Sequence, residues 1–190
     1  MPKGLTCIEK DAFKGCKSII YLEIPKTLNQ VGYGVFDAEI NFSKTPSGVV
    51  TYNGKARTLA VEVKLNGKIL IENTDYTVNY KDNTNVGTAT VTIRGIGSYS
   101  GVKNKTFTIK QLSVVGGSVT YTITKDGILT YNGKERKPAI AVNVNGVTLE
   151  ANKDYTVEYS NNKEVGTGTV KVIGKGNYCA TVSRTFKIMK

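Results

Sequence analysis

The chain has 190 residues, with 26 Lys and Arg against 15 Asp and Glu, no histidine, and a formal charge of +11. The missing histidine excludes every Ser-His, Cys-His and His-metal arrangement, and there is no run of about eighteen apolar residues that would span a membrane as a helix. Thr, Val, Tyr, Asn and Gly dominate the composition and suit pleated strands and tight turns better than helices.

The positive charge is spread out. Residues 1–38 carry five basic and four acidic groups, residues 39–111 ten and five, and residues 112–190 eleven and six. Basic residues alternate with Thr, Asn and Val, without a block of five or six. A nucleic-acid binder concentrates its cations on one element or interleaves them with stacking aromatics, so nucleic acid is not an expected partner. Diffuse attraction to anionic polymers is. The Met-Pro-Lys-Gly start has no hydrophobic signal region, so a secreted chain would be a fragment or a mature form.

Residues 5–38 read as a short solenoid. Ile8, Phe13, Cys16, Ile19, Leu22, Ile24 and Leu28 are followed by Val31, Val35 and Phe36, and the distance from Ile8 to Val31 equals that from Phe13 to Phe36. That repetition makes about one and a half coils. The string Ile8-x4-Phe13-Lys14-Gly15-Cys16-x2-Ile19-x4-Ile24-Pro25 resembles the BspA-type leucine-rich repeat, a family that often places such repeats before or between immunoglobulin-like domains. In a solenoid Phe13, Cys16, Ile19, Leu22 and Ile24 point inward. Solenoids need about three repeats to bury that side, so this piece either continues an upstream array or docks on the domain that follows. Cys7 and Cys16 are either buried thiols or a bridge, and Cys179 lies far along the chain.

From residue 39 a different pattern begins, and it occurs twice. Thr51-Tyr52-Asn53-Gly54-Lys55 returns as Thr130-Tyr131-Asn132-Gly133-Lys134, Asp75-Tyr76-Thr77-Val78 as Asp154-Tyr155-Thr156-Val157, Val86-Gly87-Thr88 as Val165-Gly166-Thr167, and Thr106-Phe107 as Thr185-Phe186. Every pair is separated by 79 residues without a gap, and close to half the aligned positions match. The period suits a small domain rather than a solenoid coil. Within a copy, Val61, Val63 and Leu65 alternate with charged residues, and Asn66-Gly67 supplies a two-residue hairpin turn. Tyr76, Val78 and Tyr80 alternate with Thr77 and Asn79, Ala89, Val91 and Ile93 with Thr90 and Thr92, and Phe107 and Ile109 close the unit. About seven short strands per copy favour a two-sheet sandwich, with a small barrel as the alternative.

The ordered string Tyr52-Asn53-Gly54-Lys55, Val61-x-Val63, Asn66-Gly67, Asp75-Tyr76-x-Val78-x-Tyr80, Gly87-Thr88-Ala89-Thr90-Val91, Gly95-x-Gly97-x-Tyr99 and Thr106-Phe107 resembles a repeat of bacterial immunoglobulin-like surface domains, common in large surface proteins of Gram-positive gut Firmicutes. The resemblance covers residues 39–190 and implies a spacer or adhesion module outside the cell. The expected fold is therefore mainly β: a partial leucine-rich-repeat segment over 1–38, then immunoglobulin-like β-sandwich repeats over 39–111 and 112–190.

Several motifs invite chemistry and have simpler readings. Gly95-Ile96-Gly97 and Gly174-Lys175-Gly176 begin like a dinucleotide loop, but Ser100 and Cys179 stand where the third glycine belongs, and strand-like sequence follows. Lys81–Asn85 lacks the glycine and terminal glutamate of a calcium loop, its counterpart Ser160–Glu164 replaces Asp82 with Asn161, and both read as polar hairpin loops. Asp75-Tyr76 and Asp154-Tyr155 read as a turn cap beside a buried ring. Lys55 and Lys134, with Asn83 and Asn162, are the residue types of a Lys–Asn cross-link found in some surface sandwiches. No residue is assigned to catalysis, to a cofactor or to a metal, and no enzyme activity is expected. The expected function is adhesion or spacing at the cell surface or wall, presenting a leucine-rich-repeat region. Expected partners are cell-wall polymers, host glycoproteins or other surface proteins, with no membrane insertion and a monomeric state. The alternative is an accessory module pair of a larger secreted enzyme such as a glycanase or peptidase.

Overall fold

The computed structural model describes residues 4–8, 12–16, 30–31, 38–97, 99–122 and 126–190, and among these every regular element is a strand. The chain divides into two compact units: Met1–Val50 with Lys55–Ile109, and Thr51–Gly54 with Lys110–Lys190.

The first unit begins with β1 (Cys7–Ile8) and β2 (Gln30–Val31), which pair in parallel with Cys7 opposite Gln30 and Ile8 opposite Val31. The pairing offset is the sequence period that joins Ile8 to Val31. Ile8 is buried. Ala12–Gly15 form a turn closed by the Cys16 N–H donating to the Phe13 carbonyl at 3.2 Å. Cys16 is exposed and its thiol is free, which corrects both the inward orientation and the bridge to Cys7. The turn ends the inward alternation before Cys16 is reached. Ile19, Leu22, Ile24, Leu28, Val35 and Phe36 lie outside the described residues.

Two further sheets follow in the first unit. One has the order β3 (Glu39–Phe42), β5 (Val61–Leu65), β6 (Lys68–Ile69). The other has β4 (Val49–Thr51), β9 (Val102–Lys110), β8 (Gly87–Gly95), β7 (Tyr76–Lys81). Strand β8 shows the period-two logic: Ala89, Val91 and Ile93 are fully buried while Thr88, Thr90 and Thr92 face away. Asn66 and Gly67 adopt φ of 49° and 83°, the paired left-handed geometry of a tight hairpin whose twist matches the strands.

The second unit opens with β10 (Leu112–Ser113), which pairs in parallel with β17 (Tyr178–Cys179). Its three-stranded sheet is β11 (Ser118–Tyr121), β13 (Ile140–Val144), β14 (Val147–Thr148). Its four-stranded sheet is β12 (Ile128–Thr130), β18 (Thr181–Met189), β16 (Gly166–Gly174), β15 (Tyr155–Ser160). The registers match those of the first unit to the residue: Tyr76 opposes Gly95 and Tyr155 opposes Gly174, Gly87 opposes Ile109 and Gly166 opposes Ile188, Ile40 opposes Val63 and Val119 opposes Val142.

Val142 and Val144 from one sheet pack with Tyr155, Val172 and Val182 from the other in a single buried cluster, so the two sheets face each other over a shared core. Deeper toward the other end, Phe186 sits edge-on to Tyr121 at 6.5 Å and to Tyr159 at 6.4 Å. In the first unit Phe107 holds the same place against Phe42 at 5.9 Å and Tyr80 at 6.4 Å. Edge-to-face pairs contribute about 0.5–1.5 kcal/mol each beyond the area they bury. Gly168 replaces Ala89 beneath this ring, and a Cβ there would lie 2.4 Å from Phe186 Cζ.

Between β4 and β5 the backbone passes from one sheet to the other outside any strand, so most of its polar groups must be satisfied by means other than a ladder. Arg57 N–H donates to the Asn83 carbonyl at 2.7 Å, and Asn83 Nδ2 donates back to the Arg57 carbonyl at 2.9 Å. The Tyr80 hydroxyl donates to the Leu59 carbonyl. The second unit repeats all three bonds: Arg136 N–H to Asn162 O at 2.6 Å, Asn162 Nδ2 to Arg136 O at 3.0 Å, and Tyr159 Oη to Pro138 O at 2.7 Å. Asn162 is 9 % exposed, so water cannot readily replace its amide.

Asn162→Ala is expected to destabilise the second unit by about 1–3 kcal/mol, because the Arg136 carbonyl loses its buried donor. Asn162→Asp should cost at least as much, since it sets a carboxylate oxygen against that carbonyl. Denaturant titration of both variants checks this, and wild-type stability in either would contradict the clamp.

Candidate functional site

The residues that recur at 79-residue spacing converge on turns and cores. Asp75 Oδ2 accepts from the Ile71 N–H at 2.9 Å, and Asp154 Oδ2 accepts from the Glu150 N–H at 2.9 Å, so both carboxylates cap the loop ahead of β7 and β15. The neighbouring Tyr76 and Tyr155 are buried. Gly97 and Gly176 stand at φ of 62° and 63°, in the left-handed region that glycine adopts without strain. At Gly174 a Cβ would meet the Cys179 backbone at 2.6 Å, and at Gly95 the Ser100 backbone nitrogen at 2.8 Å. Both glycine pairs are thus accounted for by backbone geometry at the end of a long strand, and a strand rather than a helix follows.

The hairpin tips carry shallow recesses at matching places, one lined by Asp82–Thr88 and the other by Asn161–Thr167. Asp82 and Asn161 both turn the chain with left-handed φ, 56° and 52°. The next residue in each loop is the clamp asparagine, whose amide already serves the arginine carbonyl. Among the described residues no three Cys, Asp or Glu side chains gather closely enough to hold a metal ion. Lys55 and Lys134, the lysines available for a cross-link, are exposed, while Asn83 and Asn162 turn their amides to Arg57 and Arg136. The arrangement uses these asparagines as backbone clamps.

Two lysines that sequence counting places on the surface turn inward. Lys103 and Lys105 share strand parity with Phe107 and Ile109 on β9. Lys103 Nζ donates to the Ala38 carbonyl at 2.5 Å, and Lys105 Nζ donates to the Ile40 carbonyl while lying 5.1 Å from the Phe42 ring centre. They close the outer edge of β3, where unpaired carbonyls would otherwise invite another strand. At the corresponding positions the second copy has Val182 and Arg184.

Other cations are paired at the surface. Lys137 lies 2.7 Å from Glu135, Lys153 2.8 Å from Glu150 and Lys171 3.3 Å from Glu158. The hydrogen bond from Lys137 holds the Glu135 carboxyl below its ordinary range. Such exposed pairs add little stability, but they dilute the positive field. The outer faces of the four-stranded sheets are hydroxyl-rich, with Thr90 opposite Thr106 and Thr88 opposite Thr108 in one unit and Thr169 opposite Thr185 in the other. Their charged positions differ between copies: Thr92 and Arg94 in one correspond to Lys171 and Ile173 in the other.

Burial pushes the hydroxyls of Tyr76, Tyr80, Tyr121, Tyr155, Tyr159 and Tyr178 above their ordinary value. A tyrosine that holds its proton more tightly when folded stabilises the fold below about pH 10, and that contribution is lost as pH rises through the folded pKa values. Stability is therefore expected to hold to about pH 9 and to fall above about pH 10, with a shallower fall in Tyr159→Phe. A stability that stays level through strongly alkaline pH in denaturant titrations would contradict this.

No protein-family model matches the chain, and no curated protein matches it.

Proposed function

We propose that this chain is a non-catalytic spacer from a bacterial surface, built from two immunoglobulin-like sandwiches behind part of a leucine-rich-repeat array. One observation carries the reading. Most of what recurs between the copies is spent on registers, turns and clamps, whereas most outward-facing charged positions diverge, the exposed pair Lys55 and Lys134 excepted. A module whose side chains are retained for folding and whose faces vary is suited to holding other parts of a protein at a distance. The parallel β1–β2 pairing at the sequence period supports the solenoid reading of the first residues, because successive solenoid coils pair in parallel one repeat apart. The diffuse positive charge supports weak contact with teichoic acids, mucin or other anionic glycans.

Retention of the purified chain on isolated Gram-positive walls, mucin and duplex DNA tests this. A spacer with diffuse charge is held at low salt and released at physiological salt, where the screening length shortens to about 8 Å. Retention on walls or mucin at physiological salt would replace spacing by specific adhesion. Retention on DNA with a steep salt slope would point to phosphate contacts instead.

A further inference from the structure

We propose that Asn132 is a self-modification site, at which the chain converts its own carboxamide to a carboxylate or to a β-linked aspartate, and that Asn145 is held against the same reaction. Both are followed by glycine, whose backbone nitrogen is the least hindered nucleophile for such a ring closure.

The two sites are arranged in opposite ways. At Asn132 the side-chain oxygen Oδ1 accepts the Lys134 N–H at 3.1 Å. That donor polarises the Cγ carbonyl and stabilises the negative charge that builds on the oxygen when Cγ is attacked. Asn132 and Gly133 are exposed, and the space where a Gly133 side chain would begin is open to 4 Å. At Asn145 the nucleophile itself is engaged: Gly146 N–H donates to Asn143 Oδ1 at 3.0 Å. The pair also forms the two-residue turn between β13 and β14, where Val144 opposes Val147 and both φ values are fixed near 52° and 81°. Attack there requires breaking a hydrogen bond and distorting a hairpin.

The chemistry needs no partner except water. Gly133 nitrogen attacks Asn132 Cγ, a C–N bond forms and the Cγ–Nδ2 bond breaks. Ammonia leaves carrying the proton lost from Gly133, and a five-membered imide remains. Water then opens either carbonyl of the ring. One opening gives aspartate; the other gives a β-linked residue with one extra atom in the main chain. Both products place a negative charge beside Lys134.

The test incubates the full chain at mildly alkaline pH and body temperature, then follows each Asn-Gly peptide by mass spectrometry with fragmentation that separates the two aspartate forms. Conversion at Asn132 is expected to outpace that at Asn145 by at least about fivefold, the rate ratio set by one hydrogen bond to the attacking nitrogen. Asn143→Ala should raise the Asn145 rate toward that of Asn132, and Asn143→Asp, which keeps the acceptor, should not. Circular dichroism of each variant separates a released nucleophile from an unfolded chain. Equal rates at the two sites in the folded wild-type chain would overturn the proposal, as would faster conversion at Asn145.

Discussion

A strandless crossing from one sheet to the other imposes the main constraint on each unit. Between β4 and β5, and again between β12 and β13, the chain leaves a four-stranded sheet and enters a three-stranded one, burying Leu59 in the first crossing and Pro138 in the second. Buried backbone polar groups without partners cost about 1–3 kcal/mol each. An asparagine and a tyrosine on the opposite hairpin meet that demand in both copies. The asparagine bonds the arginine backbone in both directions, and the tyrosine hydroxyl takes a carbonyl two residues on. The same tyrosine ring then packs edge-on against Phe107 or Phe186, so one side chain ties the crossing to the core.

This economy has a consequence for function. Residues with chemically useful side chains, such as Asp75, Tyr80 and Asn83, are committed to caps and clamps. Lys103 and Lys105 seal an edge strand in place of presenting charge. The sheet surface that remains is rich in threonine and largely unlike between copies. Such a surface is in keeping with the spacing role proposed above.

Much of this was legible in the sequence, for physical reasons. The alternation in β5, β7 and β8 and the Asn66-Gly67 turn are local patterns imposed by pleat and by left-handed φ, and the 79-residue repeat is visible when the two copies are aligned. The clamp was not legible: Asn83 reaches Arg57 across 26 residues, and a side-chain bond to backbone leaves no periodic trace. Read locally, its loop suggested only a polar tip or a weak calcium motif. The inward lysines did leave a signal, since they fall in phase with Phe107 and Ile109, but charge counting hid it. Leu112 and Ser113 form a strand only because Tyr178 and Cys179 lie beside them, and two residues are too few for a pattern. Cys16 was misplaced because the apolar period around it was extended through a turn.

The most direct measurement is backbone amide hydrogen exchange, read residue by residue in both copies. The account predicts that Arg57 and Arg136, which lie in no strand, exchange nearly as slowly as the strand amides of Val91 and Val170, because the clamp holds them. If Arg57 and Arg136 instead exchange at the rate of exposed loops while the strands stay protected, the crossing is not held as described and the clamp is not what each unit depends on.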